Sequence, residues 1–297
     1  MIKRDKFRKE KKGVFDKSDI RKAMYRPFVF KYLYFNYISI DLPAQQIEIF
    51  PESKSSNFII TINHSLNNPF NILSSKTIFD LHLNGDTICF PLYRYNENGN
   101  RLDNITDWGL NQFISHYNNS EITKEDIFHY VYAVLHDPEY RQKYEQNLKR
   151  ELPRVPFYED FHQWAAQGKE LMNLHISFET VEPYPLERRD IPNVKSPQPK
   201  LKADKDSGAI VIDTATTLYG VPKIAWEYRL GTYSALQWIL EQYKEKKIKD
   251  PTVAEKFDSY RFCDYKEHVI DLLMRVCAVS VRTMGIVEKL RQKKDCI

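Results

Sequence analysis

Between Ile122 and His175 the apolar residues recur with the period of an α-helix, and three such stripes in succession leave few folds open. Ile127, Tyr130, Val131, Val134 and Leu135 fall at i, i+3, i+4, i+7 and i+8, which lines one helical face. Thr123 followed by Asp126 has the spacing of an N-cap with a carboxylate capping box. His136-Asp137-Pro138 closes that helix and opens the next, with Asp137 as N-cap and Pro138 at the first helical position.

The second helix carries Tyr140, Tyr144 and Leu148 on one face and stops at Pro153 and Pro156, which lack the N–H a helix needs. A third begins after Asp160, with Phe161, Trp164, Ala165, Gly168, Leu171, Met172 and His175 in one stripe. A glycine inside such a stripe predicts close approach of a neighbouring element. Three amphipathic helices must bury their faces against something, so they are read as a packing centre.

With 297 residues and 42% hydrophobic content, the chain can bury a large core as one big domain or two lobes. The net charge of +4 is too small to argue for a nucleic-acid partner by itself. Cys89, Cys263, Cys277 and Cys296 are far apart and form no CxxC pair, so neither a zinc site nor a disulfide framework is indicated, and a reducing, cytoplasmic setting is expected. The N-terminus has no apolar core of a signal peptide, and no apolar run nears the ~20 residues of a spanning helix. A soluble protein is expected.

Lys3 to Lys12 holds seven basic residues, either a solvated terminus or a phosphate-contacting arm, and residues 1–18 are set apart as a basic arm. Asp19 to Met24 reads as a short helical turn and Phe28 to Phe35 as an aromatic strand. Asn57 to Asn63 alternates as a half-buried strand, and Thr87 to Tyr95 reads as a strand broken by Pro91. Residues 96–119, rich in Asn, Asp and Gly, read as a loop or short helices, with a lobe boundary near Asn118. Residues 180–207 contain five prolines and six basic residues and are expected to form a long surface loop or irregular hairpin.

Ala209 to Thr216 alternates as a strand, and Tyr219 to Pro222 turns it toward a helix with Trp226, Leu236, Trp238, Ile239 and Tyr243 in the core. Asp264 is placed as the cap of a long final helix with a stripe from Val269 to Leu290 and a basic end at Arg291, Lys293 and Lys294. The expected fold is mixed α/β of the α+β kind: a strand-rich N-terminal lobe (19–118) and a helix-rich C-terminal lobe (119–297).

No internal catalytic constellation is found. The eight histidines make no HExxH, and no Walker loop, GxSxG or GxGxxG occurs. Asn67-Asn68-Pro69-Phe70 supplies only one of the two prolines of the adenine-methyltransferase Asn-Pro-Pro-Tyr motif. Glu245 and Lys247 echo a nuclease Glu-x-Lys, but at a helix end in a lysine-rich run.

Three stretches carry a resemblance: IFHYVYAVLHDPEYRQKYEQNLKRELPRVPF with the following AAQGKELMNLH, the Tyr25-Arg26-Pro27-Phe28 segment, and LYGVPKIAWEYRLGTYSALQWILEQYKEKKIKDPTVAEKF. Together they resemble the C-terminal target-recognition region of type ISP restriction-modification enzymes, single bacterial polypeptides that join a nuclease, a helicase-like ATPase, an adenine methyltransferase and a DNA-recognition domain. The resemblance implies sequence-specific binding of double-stranded DNA, with the methyltransferase and helicase-nuclease portions as partners. It implies no cofactor here, S-adenosylmethionine, Mg and ATP being expected only in those portions, and no enzyme activity of the chain by itself.

The resemblance supplies no individual contacts, so candidates follow from residue type and loop placement. Arg21, Lys22, Arg188, Arg189, Lys195, Lys200 and Lys202 are candidate phosphate contacts, since affinity for duplex DNA is largely electrostatic. Asn63, His64, Asn67, Asn68 and Lys76 are candidate base readers, although Asn and His in such a loop are also ordinary turn formers, and the turn reading is the one favoured for them. Arg26 could pair with a carboxylate or a phosphate. The competing readings are a structural domain that couples catalytic domains without reading DNA, and an unrecognised hydrolase.

Overall fold

The computed structural model describes residues 15–36, 40, 45–52, 55–63, 65–66, 68–83, 85–246, 250–252, 255 and 260–292. The basic arm from Lys3 to Lys12, His64, Asn67, Lys247, Lys293 and Lys294 lie outside them. Two compact units divide at 172/173, so the position near Asn118 falls inside the first unit.

In the first unit, β1 (Ile20–Arg26) and β2 (Val29–Tyr34) pair antiparallel around a turn in which Phe28 takes φ 59°. Ile20 to Met24 is therefore strand and not helical turn, while Asp19 closes a 3₁₀ turn, Lys17–Asp19, ahead of it. Ile20, Ala23 and Met24 have helical spacing, but five residues carry too short a period to decide, and pairing with an aromatic partner strand prevails. After the short helix α1 (Gln46–Ile49) come β3 (Ile59–Asn63), β4 (Ile72–Ser75), β5 (Ile78–Phe79), β6 (Thr87–Pro91), β7 (Tyr93–Tyr95) and β8 (Arg101–Asp103). They complete sheets of order β2-β1-β5, β4-β3-β6 and β7-β8. The strand expected to be half-buried is buried at all five β3 positions, because it is central and paired on both sides. The Thr61 hydroxyl remains satisfied by donating to the Leu73 carbonyl at 2.9 Å.

Residues 96–119, read as a loop or short helices, contain β8 and an 11-residue helix, α2 (Asp107–Tyr117). Thr106 caps its start and Asn118, left-handed at φ 48°, ends it. The next helix, α3 (Lys124–Val134), has both bonds of the Thr123/Asp126 capping box. Asp137 then caps α4 (Pro138–Lys143) through the Glu139 N–H. The expected single second helix is two, because the backbone leaves helical geometry at Tyr144 (φ −108°, ψ 20°) before α5 (Glu145–Leu148); Tyr140 and Leu148 still reach the core.

All seven stripe residues of α6 (Phe161–Ile176) are buried. Gly168 packs so tightly on α3 that a Cβ there would lie 1.8 Å from the His129 carbonyl oxygen. Between α5 and α6 the proline-bearing segment 153–160 has no helix or strand, and tyrosine hydroxyls hold its path. Tyr140, Tyr130 and Tyr117 donate to the carbonyls of Arg154, Pro156 and Tyr158 at 3.0, 2.8 and 2.6 Å, and the Tyr158 N–H donates back to the Tyr130 oxygen.

The second unit is built on an antiparallel sheet of order β10-β11-β12-β9, from β9 (Glu187–Asp190), β10 (Pro199–Asp204), β11 (Ala209–Asp213) and β12 (Thr216–Tyr219). The proline-rich stretch is thus no mere surface loop: it contributes both edge strands. Edge strands carry charge and proline freely, and the all-exposed Glu-Arg-Arg-Asp of β9 shows no apolar alternation to betray it. A 3₁₀ turn at Lys223–Trp226 and the hairpin of β13 (Arg229–Leu230) and β14 (Tyr233–Ser234) stand between β12 and the expected helix, α7 (Ala235–Tyr243).

Trp226, Leu236 and Ile239 are core, whereas Trp238 and Tyr243 are half-buried with their polar atoms bonded to the Leu230 carbonyl and His268. The long α8 (Lys266–Gln292) buries its whole stripe from Val269 to Leu290. Asp264 does not cap it but lies in a 3₁₀ turn, Phe262–Tyr265, that leads into it.

Candidate functional site

Asn63 ends β3 with its amide turned inward. Its Oδ1 accepts from the Asn71 N–H at 2.6 Å and its Nδ2 donates to the Pro69 carbonyl at 2.9 Å, which fastens the two ends of the 64–70 loop. The side chain is 2% exposed, so its bonds are spent on the loop. Asn68 is half-buried, with its Nδ2 3.5 Å from the Ser65 hydroxyl.

Arg21, Lys22 and Lys76, distant in sequence, line one cleft of about 200 Å³ with Glu52, Ser55 and Thr77. The parallel pairing of β1 with β5, Ala23 against Ile78, brings them there. Arg21 donates to the carbonyls of Phe50 and Pro51 at 2.8 and 3.2 Å, and its plane lies 4.7 Å from the Phe35 ring centroid. Its Nε is buried without a partner among the described residues. Burial lowers the Arg21 pKa, against an opposing pull from Asp19 and Glu52. The guanidinium stays charged, and its contacts are neutral carbonyls. Lys76 is exposed; Lys22 is exposed with its ammonium 4.2 Å from the Phe30 ring centroid.

In the second unit the basic residues divide into two kinds. Arg188 makes a bidentate pair with Glu267 at 2.6 and 3.0 Å and reaches Asp190 at 2.8 Å. Arg189 is bidentate on Glu187 at 2.7 and 3.0 Å and lies over Tyr219. Hydrogen bonding to Arg188 and Arg189 holds the carboxyls of Glu267 and Glu187 below their ordinary range. Lys195, Lys200 and Lys202 are exposed, the last two on edge strand β10.

Asp190 continues the network through the Thr216 hydroxyl to Lys266, which pairs with the buried Asp213 at 2.7 Å. This chain of bonds fastens the start of α8 to the sheet. Arg26, left open between carboxylate and phosphate, pairs with Asp80 at 2.8 Å.

The strongly shifted groups elsewhere are packed side chains. Burial pushes the Tyr140 hydroxyl up to about 12 and the His175 imidazole down to about 3. His175 bonds the Thr283 hydroxyl at 2.8 Å and stacks on Tyr228. Among the described residues no group of three His, Cys, Asp or Glu could hold a metal ion, and no helix is long and apolar enough to cross a membrane. Glu52, Ser55 and Thr77 escaped sequence reasoning, since nothing local marks them as neighbours of β1.

Residues 2–272 match the family described as the Type ISP C-terminal specificity domain, and the chain belongs to that family. Three solved structures are similar to it. One is a DrdV–DNA complex, at 46% identity and TM-score 0.88 over 93% of this chain. A second is a nuclease-deletion mutant of the type ISP restriction-modification enzyme LlaGI with a DNA substrate mimic, at 30% identity and TM-score 0.75 over 95%. The third is the ATP-dependent type ISP enzyme LlaBIII bound to DNA, at 25% identity and TM-score 0.80 over 97%. The chain spans 29%, 26% and 19% of those chains, respectively. No curated protein matches.

Proposed function

We propose that this chain is the DNA target-recognition module of a type ISP restriction-modification enzyme, binding duplex DNA sequence-specifically and positioning it for an adenine-N6 methyltransferase outside residues 1–297. The observation that carries the reading is its likeness, at 46% identity over 93% of its length, to part of a chain solved as a DrdV–DNA complex. Lysines and arginines on phosphates supply affinity, and side chains on base edges supply sequence. The methyltransferase and helicase-nuclease portions are the partners, and S-adenosylmethionine, Mg and ATP serve them and not this module. The setting is the cytoplasm of a bacterium.

The test is selection of the chain on a randomised duplex library at two salt concentrations, with sequencing of the bound fraction. An enriched motif whose affinity falls with salt is expected. Salt-sensitive binding without a motif would move sequence reading to the assembled enzyme, and no binding at low salt would overturn the reading in favour of a coupling domain.

A further inference from the structure

Asparagine amides in the first unit are unevenly committed. Asn57 donates to the Ile49 and Tyr93 carbonyls, Asn63 is spent on its own loop, and Asn104 donates to the Pro91 carbonyl. Asn98 and Asn100 differ: both are exposed, and their side-chain amides have no partner among the described residues. They sit in the turn 96–100 that joins β7 to β8.

That turn is preformed. Asn96 Oδ1 accepts from the N–H groups of Asn98 and Asn100 at 3.0 and 2.9 Å, while the N–H groups of Asn96 and Gly99 donate to the carbonyls of Asn100 and Asn96. Gly99 supplies the left-handed position at φ 76°, and a Cβ there would meet nothing within 4 Å. The tip therefore stands in open space with its main chain satisfied internally.

The ribbon behind it is a two-stranded sheet that pairs Tyr93 with Asp103, Arg94 with Leu102 and Tyr95 with Arg101. Its root is fixed to the unit. The Asn57 amide bonds the Tyr93 carbonyl and N–H at 2.7 and 3.1 Å, the Asn104 N–H donates to the Leu92 carbonyl at 3.0 Å, and Asp103 pairs with Lys124 at 3.1 Å. Every residue from Asn96 to Asn104 is exposed.

The major groove of B-DNA, about 12 Å wide and 8.5 Å deep, admits a two-stranded ribbon, and the minor groove at about 6 Å is too narrow for one. Strands of 3 residues, at about 3.4 Å each, give the ribbon a reach of roughly 10 Å. Asparagine amides match the N6 and N7 edge of adenine, and a glutamate such as Glu97 accepts from cytosine N4. Arg101 lies 4.1 Å from the Tyr93 ring centroid with no carboxylate partner among the described residues, so its charge is available to a phosphate. A protein-docking hairpin would carry an aromatic or apolar anchor, and the tip Asn96-Glu97-Asn98-Gly99-Asn100 has none.

We propose that the β7–β8 ribbon enters the major groove of the target duplex, with Asn98 and Asn100 reading base edges and Arg101 on a flanking phosphate. The assignment rests on the DNA-recognition reading and deepens it, moving base reading from Asn63, whose amide is spent, to the ribbon tip.

The experiment uses the 297-residue chain and the duplex it selects, synthesised with single 7-deazaadenine replacements. Each deletes one major-groove acceptor and leaves base pairing and the minor groove intact. Wild type should lose affinity at one or two adjacent adenines. Asn98→Ala/Asn100→Ala should lose that sensitivity, and reselection should relax the motif at those positions by roughly 5- to 150-fold, the worth of one bidentate contact. Arg101→Ala should keep the motif, weaken all sequences alike and lower the salt slope by about 0.9.

Both asparagines are exposed and their amides unbonded, so the variants fold. A flat deaza profile in wild type, or a double variant that selects the wild-type motif, would overturn the assignment while leaving DNA recognition intact. An unchanged salt slope in Arg101→Ala would take the ribbon away from the backbone and overturn the groove docking. Wild-type binding without a motif would leave the ribbon nothing to read and end the proposal, and absence of duplex binding would overturn both readings. If the double variant kept the motif but lost methylation in the assembled enzyme, the ribbon would be a docking hairpin for the methyltransferase portion, and the proposal would fall.

Discussion

Substituting Gly168 by alanine sets two effects of opposite sign against each other. In a helix interior the change ordinarily stabilises by about 1 kcal/mol, because glycine has more backbone freedom to lose. At this position the new Cβ would stand 1.8 Å from the His129 oxygen, 2.6 Å from its carbonyl carbon and 3.2 Å from the Ala133 nitrogen. An unstrained carbon–oxygen contact needs roughly 3.2–3.5 Å, so α3 and α6 would have to part by more than about 1 Å. Both elements are main chain there, and no rotamer can relieve the clash.

Overpacking of this kind typically costs about 1–3 kcal/mol, and a backbone clash belongs at or above the upper end. Net destabilisation of about 2 kcal/mol or more is expected, read as a lower urea midpoint at unchanged slope by far-UV circular dichroism. Gly285, within α8, is the internal control: nothing lies within 4 Å of its added Cβ. Gly285→Ala should be neutral or stabilising by up to about 1 kcal/mol. A Gly168→Ala protein as stable as wild type would refute the close-approach argument.

Two further outcomes follow from buried charge. Lys266→Met strands Asp213, whose side chain is 3% exposed, without its 2.7 Å partner; a loss of about 3 kcal/mol is expected, partly recovered by adding Asp213→Asn, and an unchanged urea midpoint would contradict it. His175, driven down to about 3 from 6.5 by burial, is neutral in the fold. The unfolded chain takes up its proton first, so stability is complete above pH 6.5 and falls as the pH drops toward 3. Between pH 6.5 and 5 the loss is about 2 kcal/mol. Urea titrations at pH 7 and pH 5 should show it, and His175→Asn should shrink the difference.

The helix signals between Ile122 and His175 were legible because they are local. Thr123 with Asp126, Asp137 before Pro138, and the stripe through Gly168 each lie within a few turns of chain, and each took the form its spacing predicts. Central β1 and edge strand β9 were not legible, since each is defined by its partners and not by a periodic pattern of its own. The site suffers most from this. Arg21 and Lys76 meet only through a parallel pairing across more than fifty residues, which leaves no periodic trace. One signal was available at β9: in an extended Glu-Arg-Arg-Asp, side chains two apart share a face, so Glu187 faces Arg189 and Arg188 faces Asp190. Those ion pairs could have been read from the sequence.

The tyrosine hydroxyls along residues 153–160 bear on how freely this region can be rewritten. Tyr117, Tyr130 and Tyr140 grip main-chain carbonyls, which every amino acid supplies, and not the side chains of the residues they hold. The route of the segment is therefore separable from its spelling. Arg154 and Val155 can be exchanged for residues of other size or charge while the path persists, giving a fixed track on which new surface chemistry can be tried by evolution or by design.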